Sequence, residues 1–372
     1  MTLRKVPVCR TDETEKLLKG RYVPTDFNQE FAQPIWYNSE LFDRGKKFQQ
    51  SNLFCIFLSD LMSILLVLSN KRILNVLMRS SKSETNIKAL KRYVSTIRIV
   101  IAWIEGDIWN ENDGAHQALI YVTKSHNLAG KMSLKKKQGM DNVKIPTKTN
   151  ELSIYTAVNK DLIEFQPTLR DDLMDGIKDM NQWDMAVVQY AFLGPILASP
   201  RDFGLQASDD DLEGFLHFWR VIGYLMGIRD EFNLGAGDLQ ESKALMKELA
   251  REIFLPNFST VGEDFELMAQ ALCGGMNMAV PFISYPCSMC YLINILGGKT
   301  NELGSIFRFQ DKILYGFLRG LIFSIRFKPV RIVFGWLFKL SLDLIEGKGP
   351  YWWPAFWSPK VNIPSSKFSE NM

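Results

Sequence analysis

The chain has 372 residues, of which 47% are hydrophobic and 12% aromatic, enough apolar material for one large packed domain. Its 44 basic and 41 acidic residues leave a formal charge of only +3, which argues against a nucleic-acid-binding protein with a concentrated basic surface. The five cysteines are scattered and odd in number, which is not the pattern of a secreted disulfide scaffold.

Helical periodicity runs through almost the whole sequence and predicts an all-α fold built as a single large helical domain. The first 50 residues form a lead of short helices broken by Pro24 and Pro34. Ser208 and Asp211 make a capping-box pattern that marks the start of one later helix. Helices are predicted over residues 51–69, 70–80, 84–106, 115–131, 157–178, 181–197, 208–228, 239–254, 262–280 and 282–296, followed by a C-terminal helical pair.

Two apolar stretches raise the question of membrane contact. Residues 53–68 fall short of the ~20 residues needed to cross a bilayer and are interrupted by Asp60, so a buried core helix is expected. Residues 312–343 alternate large apolar side chains with arginines and lysines. This mixture suits helices lying in a membrane interface, and equally a pair docked on the core whose basic side chains extend into water. The polar N-terminus lacks the apolar segment of a secretory signal, so an intracellular protein is expected.

Few residues are available for metal or haem chemistry. The histidines are His116, His126 and His217, and no hydrolase, phosphate-loop or dinucleotide motif occurs in a supporting context. Cys287 and Cys290 form a C-x-x-C in an apolar run without a second pair, which indicates buried thiols rather than a zinc site.

Two predicted helices carry candidate site residues. In the first, Arg92 and Thr96 are four residues apart and share one face, with Ser95 beside them; the alternative is a polar edge on a buried helix. In the second, His126 lies on one stripe with the small residues Ala118 and Ala129, which leave room for a flat cofactor, and neutral imidazole is the usual protein ligand of haem iron. A helical histidine is also common in cores and on surfaces, so the pattern alone leaves its role open.

Four segments resemble the ER-bound oxygenase and rubber oxygenase (latex-clearing protein) catalytic-domain family. The Arg92–Thr96 segment is similar to the family's Arg-x-x-x-Thr helix, and VTKSH, which ends at His126, to its proximal-ligand helix. NQWDMAVVQYAFLG (181–194) resembles the family's aspartate–glutamine helix, and FLHFWRVIGYLMGIRDEF (215–232) its His-x-Trp-Arg-x-x-Gly-x-x-x-Gly-Ile signature. The resemblance covers about residues 30–300.

The resemblance implies a globin-like helical core that binds haem b. His126 would hold the iron, and Arg92, Thr96 and Ser95 would lie on the opposite, catalytic side of the ring. The implied activity is that of a haem-dependent oxygenase acting with dioxygen on a hydrophobic, isoprenoid or lipid substrate. Ser95 stands where latex-clearing members carry an iron-capping lysine, and no acidic residue aligns with their proposed base, so polyisoprene cleavage is not implied.

The expected organisation is an N-terminal lead (1–29), the oxygenase-like domain (30–300), amphipathic and membrane-associated helices (301–345) and a flexible tail (346–372). The amphipathic helices predict peripheral membrane contact, and the expected location is an internal membrane such as the endoplasmic reticulum. The same helices, together with Ser95, support an alternative: a haem-free, membrane-associated scaffold or lipid-binding protein that keeps the fold without catalysis.

One further helix carries residues expected to support the site. Glu213, His217, Arg220 and Tyr224 are spaced to form its polar stripe, and the pattern predicts a hydrogen-bonded network that holds the cavity wall. Trp219 is expected in the core.

Overall fold

Helices make up all the regular secondary structure in the part of the chain that the structure describes, so the all-α prediction is confirmed. The computed structural model describes residues 10–80, 82–136, 153–165, 177 and 180–347. The α-helices are α1 (Asp12–Lys19), α2 (Ser39–Ser51), α3 (Leu53–Ser69), α4 (Lys71–Arg79), α5 (Asn86–Glu105), α6 (Gly114–Lys136), α7 (Ile154–Asp161), α8 (Gln182–Ala198), α9 (Asp209–Leu225), α10 (Leu239–Leu249), α11 (Leu255–Phe258), α12 (Glu263–Asn277), α13 (Tyr285–Ile295), α14 (Asn301–Ser305), α15 (Phe309–Ser324) and α16 (Lys328–Ile345).

Most predicted helix boundaries agree with the structure to within three residues, α6 runs five residues beyond its predicted end, and two further helices differ in form. α7 ends at Asp161 and a single 3₁₀ turn follows, while most of the remaining predicted stretch, 166–176, lies outside the described residues. The helix predicted over 239–254 is not uniform: α10 gives way to a π-helical turn at Ala250–Phe254. Pro256, two residues later, has no N–H to continue the regular hydrogen-bond ladder.

The apolar stretch at 53–68 is the central core helix, as predicted. Fifteen of the seventeen residues of α3 are buried, and the helix packs against α8, α12, α13 and α16, so it is surrounded by protein. The two exceptions, Asp60 and Ile64, both line an internal cavity. Among the described residues no single helix is long and apolar enough to span a bilayer; α2 and α3 together pass that test only as a pair bent by 89°.

The two ends of the described chain are docked on this core. Leu17 and Leu18 of α1 are 2% and 4% exposed, and α1 packs on α8 and α10. At the other end, α16 buries Phe338, Leu342 and Ile345, and Phe338 stacks on Phe57 of α3.

An ion-pair cluster also holds α16 against α5. The Arg98 guanidinium donates to Asp343 and, at 3.2 Å, to Glu346. The predicted flexible tail lies outside the described residues from 348 onward.

Candidate functional site

A cavity of about 860 Å³ lies within the helical core. Helices α3, α4, α5, α6, α8 and α9 form its walls, and α12 and α16 contribute Met276 and Phe338. Most of the lining is apolar, and the volume is within the range of about 300–1,000 Å³ usual for small-molecule and cofactor sites. The cavity is therefore large enough to hold a ligand.

Charged side chains are distributed unevenly around this cavity. Six basic and two acidic residues line it, so its electrostatic character is positive: Arg72, Arg79, Lys82, Lys88, Lys91 and Arg92 against Asp60 and Asp184. The Arg72 and Asp184 side chains form an ion pair at 3.5 Å, and Lys88 pairs with Glu84. The other basic residues come from the end of α4, the connection to α5, and the first two turns of α5.

The structure places Arg92, Ser95 and Thr96 on the cavity wall. The Arg92 Nη1 donates to the hydroxyls of Ser83 at 3.2 Å and Ser80 at 3.4 Å, which hold the guanidinium against the α4–α5 connection. The Thr96 hydroxyl donates to the Arg92 carbonyl at 3.1 Å, the usual back-bond of a helical threonine, and so presents oxygen lone pairs rather than a proton to its surroundings. Ser95 is exposed, whereas Arg92 and Thr96 are half-buried.

His126 lines the same cavity from α6, the helix packed beside α5. Its Nδ1 is buried and has no hydrogen-bond partner among the described residues. Burial, and secondarily the positive charge of Arg92, lower the pKa of His126 to about 4. The imidazole is therefore neutral at physiological pH, which is the form that binds a metal. The structure thus brings together the four residues that the sequence nominated as ligand and catalytic groups.

These residues fit a haem. A neutral imidazole faces an apolar space, and the basic end of the cavity matches the two carboxylates that such a macrocycle carries. Small Ala129 borders the cavity next to His126, as the sequence predicted, whereas Ala118 is buried in the core away from it. No group of three or more metal-binding side chains occurs within the described ranges, but a haem needs only one imidazole.

Two side chains of the predicted α9 network, His217 and Arg220, make structural hydrogen bonds, but to residues outside that helix. The His217 Nε2 accepts the backbone N–H of Asn38 at 3.0 Å, and Arg220 forms a bidentate pair with Asp230 at 2.8–3.1 Å. What these side chains share is Trp36, whose ring lies 3.9 Å from the Arg220 guanidinium and packs edge-on against His217 and Tyr224. His217 and Arg220 do not line the cavity; they fix the loop before α2 to α9.

Trp219 does line the cavity, on the opposite side of α9 from that cluster. It is 2% exposed and stacks on Phe192 at 4.5 Å. The Gln189 side-chain amide donates to the Trp219 carbonyl at 3.0 Å and to the Asn233 side-chain oxygen at 2.8 Å. These bonds hold α8 against α9 behind the cavity wall. Gln189 belongs to a segment that the resemblance singled out, but its partners are visible only in the fold.

Asp60 is a cavity residue that the sequence did not single out as part of the site. Its signal in the sequence is a lone carboxylate in a continuous apolar run. In the structure Asp60 faces the cavity from α3, the only acidic lining residue in the described chain without an ion-pair partner.

This helical arrangement is a rubber-oxygenase-like fold. The solved structure of latex clearing protein in its closed state is similar over 96% of this chain and 78% of that chain, with a TM-score of 0.53 and 16% sequence identity. At this identity the similarity establishes the fold alone. No known sequence family and no curated protein matches the chain.

Proposed function

We propose that this protein is a haem b-dependent oxidoreductase of the oxygenase type that acts on a hydrophobic, isoprenoid or lipid substrate. The observation that carries the proposal is His126: a neutral imidazole without a hydrogen bond at Nδ1, on one cavity with Arg92 and Thr96. A buried polar group normally has a partner, so an unpaired imidazole on a cavity indicates that a ligand completes it.

Each site residue has a physical role in this proposal. The haem, when bound, supplies the dioxygen chemistry, and His126 would hold it. The Arg92 guanidinium is oriented by Ser80 and Ser83, so it would stabilise negative charge that develops on an oxygen atom in the cavity. Apolar walls bind the substrate and exclude water, which strengthens that interaction.

Oxygen consumption tests the proposed activity. Haem-supplemented protein is expected to consume dioxygen when given an isoprenoid or unsaturated lipid, and Arg92→Leu is expected to reduce the rate about a hundredfold, as removal of one oriented donor does. Arg44→Leu is the control, since Arg44 pairs with Asp210 on the surface. Haem binding without any oxygen consumption would favour the non-catalytic alternative, and equal rates in the two variants would remove Arg92 from the mechanism.

A second proposal concerns the C-terminal pair, α15 and α16, which we infer binds the surface of an anionic membrane. Residues 309–345 contain six basic and two acidic residues, which favours anionic lipid. The exposed large apolar side chains of this pair would enter the interface; they are Phe309, Ile313, Phe317, Phe323, Phe327, Ile332, Val333, Trp336 and Leu337. Because Phe338 on the same helix lines the cavity, the pair would also bring the cavity close to its lipid substrates.

Vesicle co-sedimentation tests the membrane proposal. The protein is expected to pellet with vesicles of phosphatidylcholine and phosphatidylserine, and less with phosphatidylcholine alone. The double variant Phe327→Ser, Trp336→Ser should stay in solution, whereas Ile35→Ser, at a fully exposed apolar site elsewhere, should pellet normally. Equal sedimentation of both variants would contradict the proposal. Fractionation of cells should then place the protein on an internal membrane such as the endoplasmic reticulum.

A further inference from the structure

Asp60 places a carboxyl group in the apolar wall of the cavity. It lies in the middle of α3, where its neighbours Phe57, Leu61 and Ile64 line the same space. Its Oδ1 is buried and has no hydrogen-bond partner among the described residues. The residue itself is half-buried and borders the cavity, so Oδ2 is the oxygen left to face the open space.

The surroundings of Asp60 favour the neutral acid. Burial raises the pKa of Asp60 well above its ordinary value, and no neighbouring cation offsets this effect. Arg72, which lines the same cavity, is paired with Asp184 instead. A protonated carboxyl carries an O–H donor as well as acceptor oxygens, so it can bind an uncharged oxygen-containing group.

The charge around the cavity narrows the class of ligand. A cationic amine would be the natural partner of an aspartate, but six basic residues against two acidic ones make the cavity unfavourable for a cation. A ligand carboxylate would be drawn to the basic end formed by the α4–α5 connection, not to an acidic side chain on α3. A pure hydrocarbon would leave the carboxyl without a partner, which buried polar groups avoid.

We propose that Asp60 is a substrate-recognition residue whose carboxylic acid hydrogen-bonds a hydroxyl or carbonyl oxygen of an otherwise hydrophobic ligand. The cavity therefore takes an oxygenated lipid, such as a terpenoid alcohol or ketone, in preference to the matching hydrocarbon. The inference rests on the proposed function only in taking this cavity as the substrate site, and it concerns binding, not the haem.

Two variants separate the hydrogen bond from the shape of the side chain. Asp60→Asn keeps a hydrogen-bonding group of the same size, and Asp60→Leu replaces it with an apolar side chain of similar volume. Binding of farnesol, farnesene and farnesylamine is followed by the change in intrinsic tryptophan fluorescence, since Trp103 and Trp219 line the cavity. Circular dichroism confirms that each variant is folded.

The unmodified protein is expected to bind farnesol about tenfold more tightly than farnesene, equivalent to about 1.4 kcal/mol. Asp60→Asn should retain most of this preference, and Asp60→Leu should bind both ligands equally. The proposal is overturned if Asp60→Leu keeps the preference, or if farnesylamine binds most tightly and loses that advantage in Asp60→Asn, which would assign an ion pair instead.

The same measurement distinguishes this inference from the proposed function. Ligand binding is recorded with and without added haem. An Asp60-dependent preference in a protein that takes up no haem would support the recognition role of Asp60 and contradict the proposed oxygenase activity. Haem uptake through His126 with no effect of Asp60 would support haem binding and contradict the recognition role.

Discussion

Gly223 of α9 lines the cavity at a point where even one added methyl group should disturb the packing. A Cβ added there would approach the Gln189 amide closer than 3.0 Å. That amide donates to the Trp219 carbonyl and to Asn233, and its oxygen accepts the Leu234 N–H at 2.9 Å. Gly223→Ala therefore pushes against a buried side chain that is held by three hydrogen bonds and cannot move without breaking them.

Two effects set the size of the loss. Overpacking of a closely filled site costs about 1–3 kcal/mol, and each buried polar group left unpaired costs about 1–3 kcal/mol. Alanine recovers about 0.5–1 kcal/mol relative to glycine through helix propensity. The net expectation for Gly223→Ala is a free energy of unfolding lower by about 3 kcal/mol.

Urea unfolding followed by circular dichroism measures this difference. Gly335→Ala is the matched control, because Gly335 is also helical but an added Cβ meets nothing within 4 Å. It should raise the free energy of unfolding by about 0.5–1 kcal/mol. If Gly223→Ala proved as stable as Gly335→Ala, the hydrogen bonds of Gln189 would not be what holds α8 against α9.

Two further predictions follow from buried groups. Because burial raises the pKa of Asp60 above 3.8, the folded protein keeps a proton that the unfolded chain releases, and stability falls as the pH rises above that value. Asp60→Asn removes this loss. In urea unfolding, its free energy of unfolding should exceed that of the unmodified protein by little near pH 4 and by more towards pH 7. A difference that stays constant with pH would contradict the neutral-acid state of Asp60. Burial raises the pKa values of the thiols of Cys55, Cys273 and Cys287 to about 11–12. Alkylation at pH 8, located by mass spectrometry, should therefore modify these thiols only after unfolding. Rapid labelling of the folded protein would contradict their burial.

Local sequence signals predicted much of the helical framework. The capping box is present: the Ser208 hydroxyl accepts the Asp211 N–H at 3.1 Å, and the Asp211 carboxylate accepts the Ser208 N–H at 3.2 Å. The C-x-x-C cysteines are free and buried, as their apolar surroundings indicated. These features depend on a few consecutive residues, so one chain suffices to infer them.

The site was only partly predictable because its walls come from distant segments. Arg92, Thr96 and His126 were nominated by spacing and resemblance, but nothing in the sequence placed Asp60 on the same cavity. The direction in which Asp60 points depends on how α3 packs against its neighbours. Trp36 escaped notice for the same reason, since it meets Arg220 only after the loop before α2 folds onto α9.

The C-terminal pair had two interpretations from sequence, and the structure has features of both. Phe338, Leu342 and Ile345 dock α16 on the core, while Trp336 and Leu337 of the same helix are 61% and 42% exposed. A periodic pattern shows how many apolar side chains a helix carries. In these two helices that number exceeds what the face packed on the core can bury.

The absorption spectrum of the purified, haem-supplemented protein tests the central claim most directly. A Soret band is expected in the unmodified protein and in His217→Gln, whose histidine lies outside the cavity. It should be lost in His126→Gly and return when free imidazole is added, because the small ligand can then occupy the space left by the side chain. An absent band, or an unchanged band in His126→Gly, would contradict the assignment of His126 as the haem ligand.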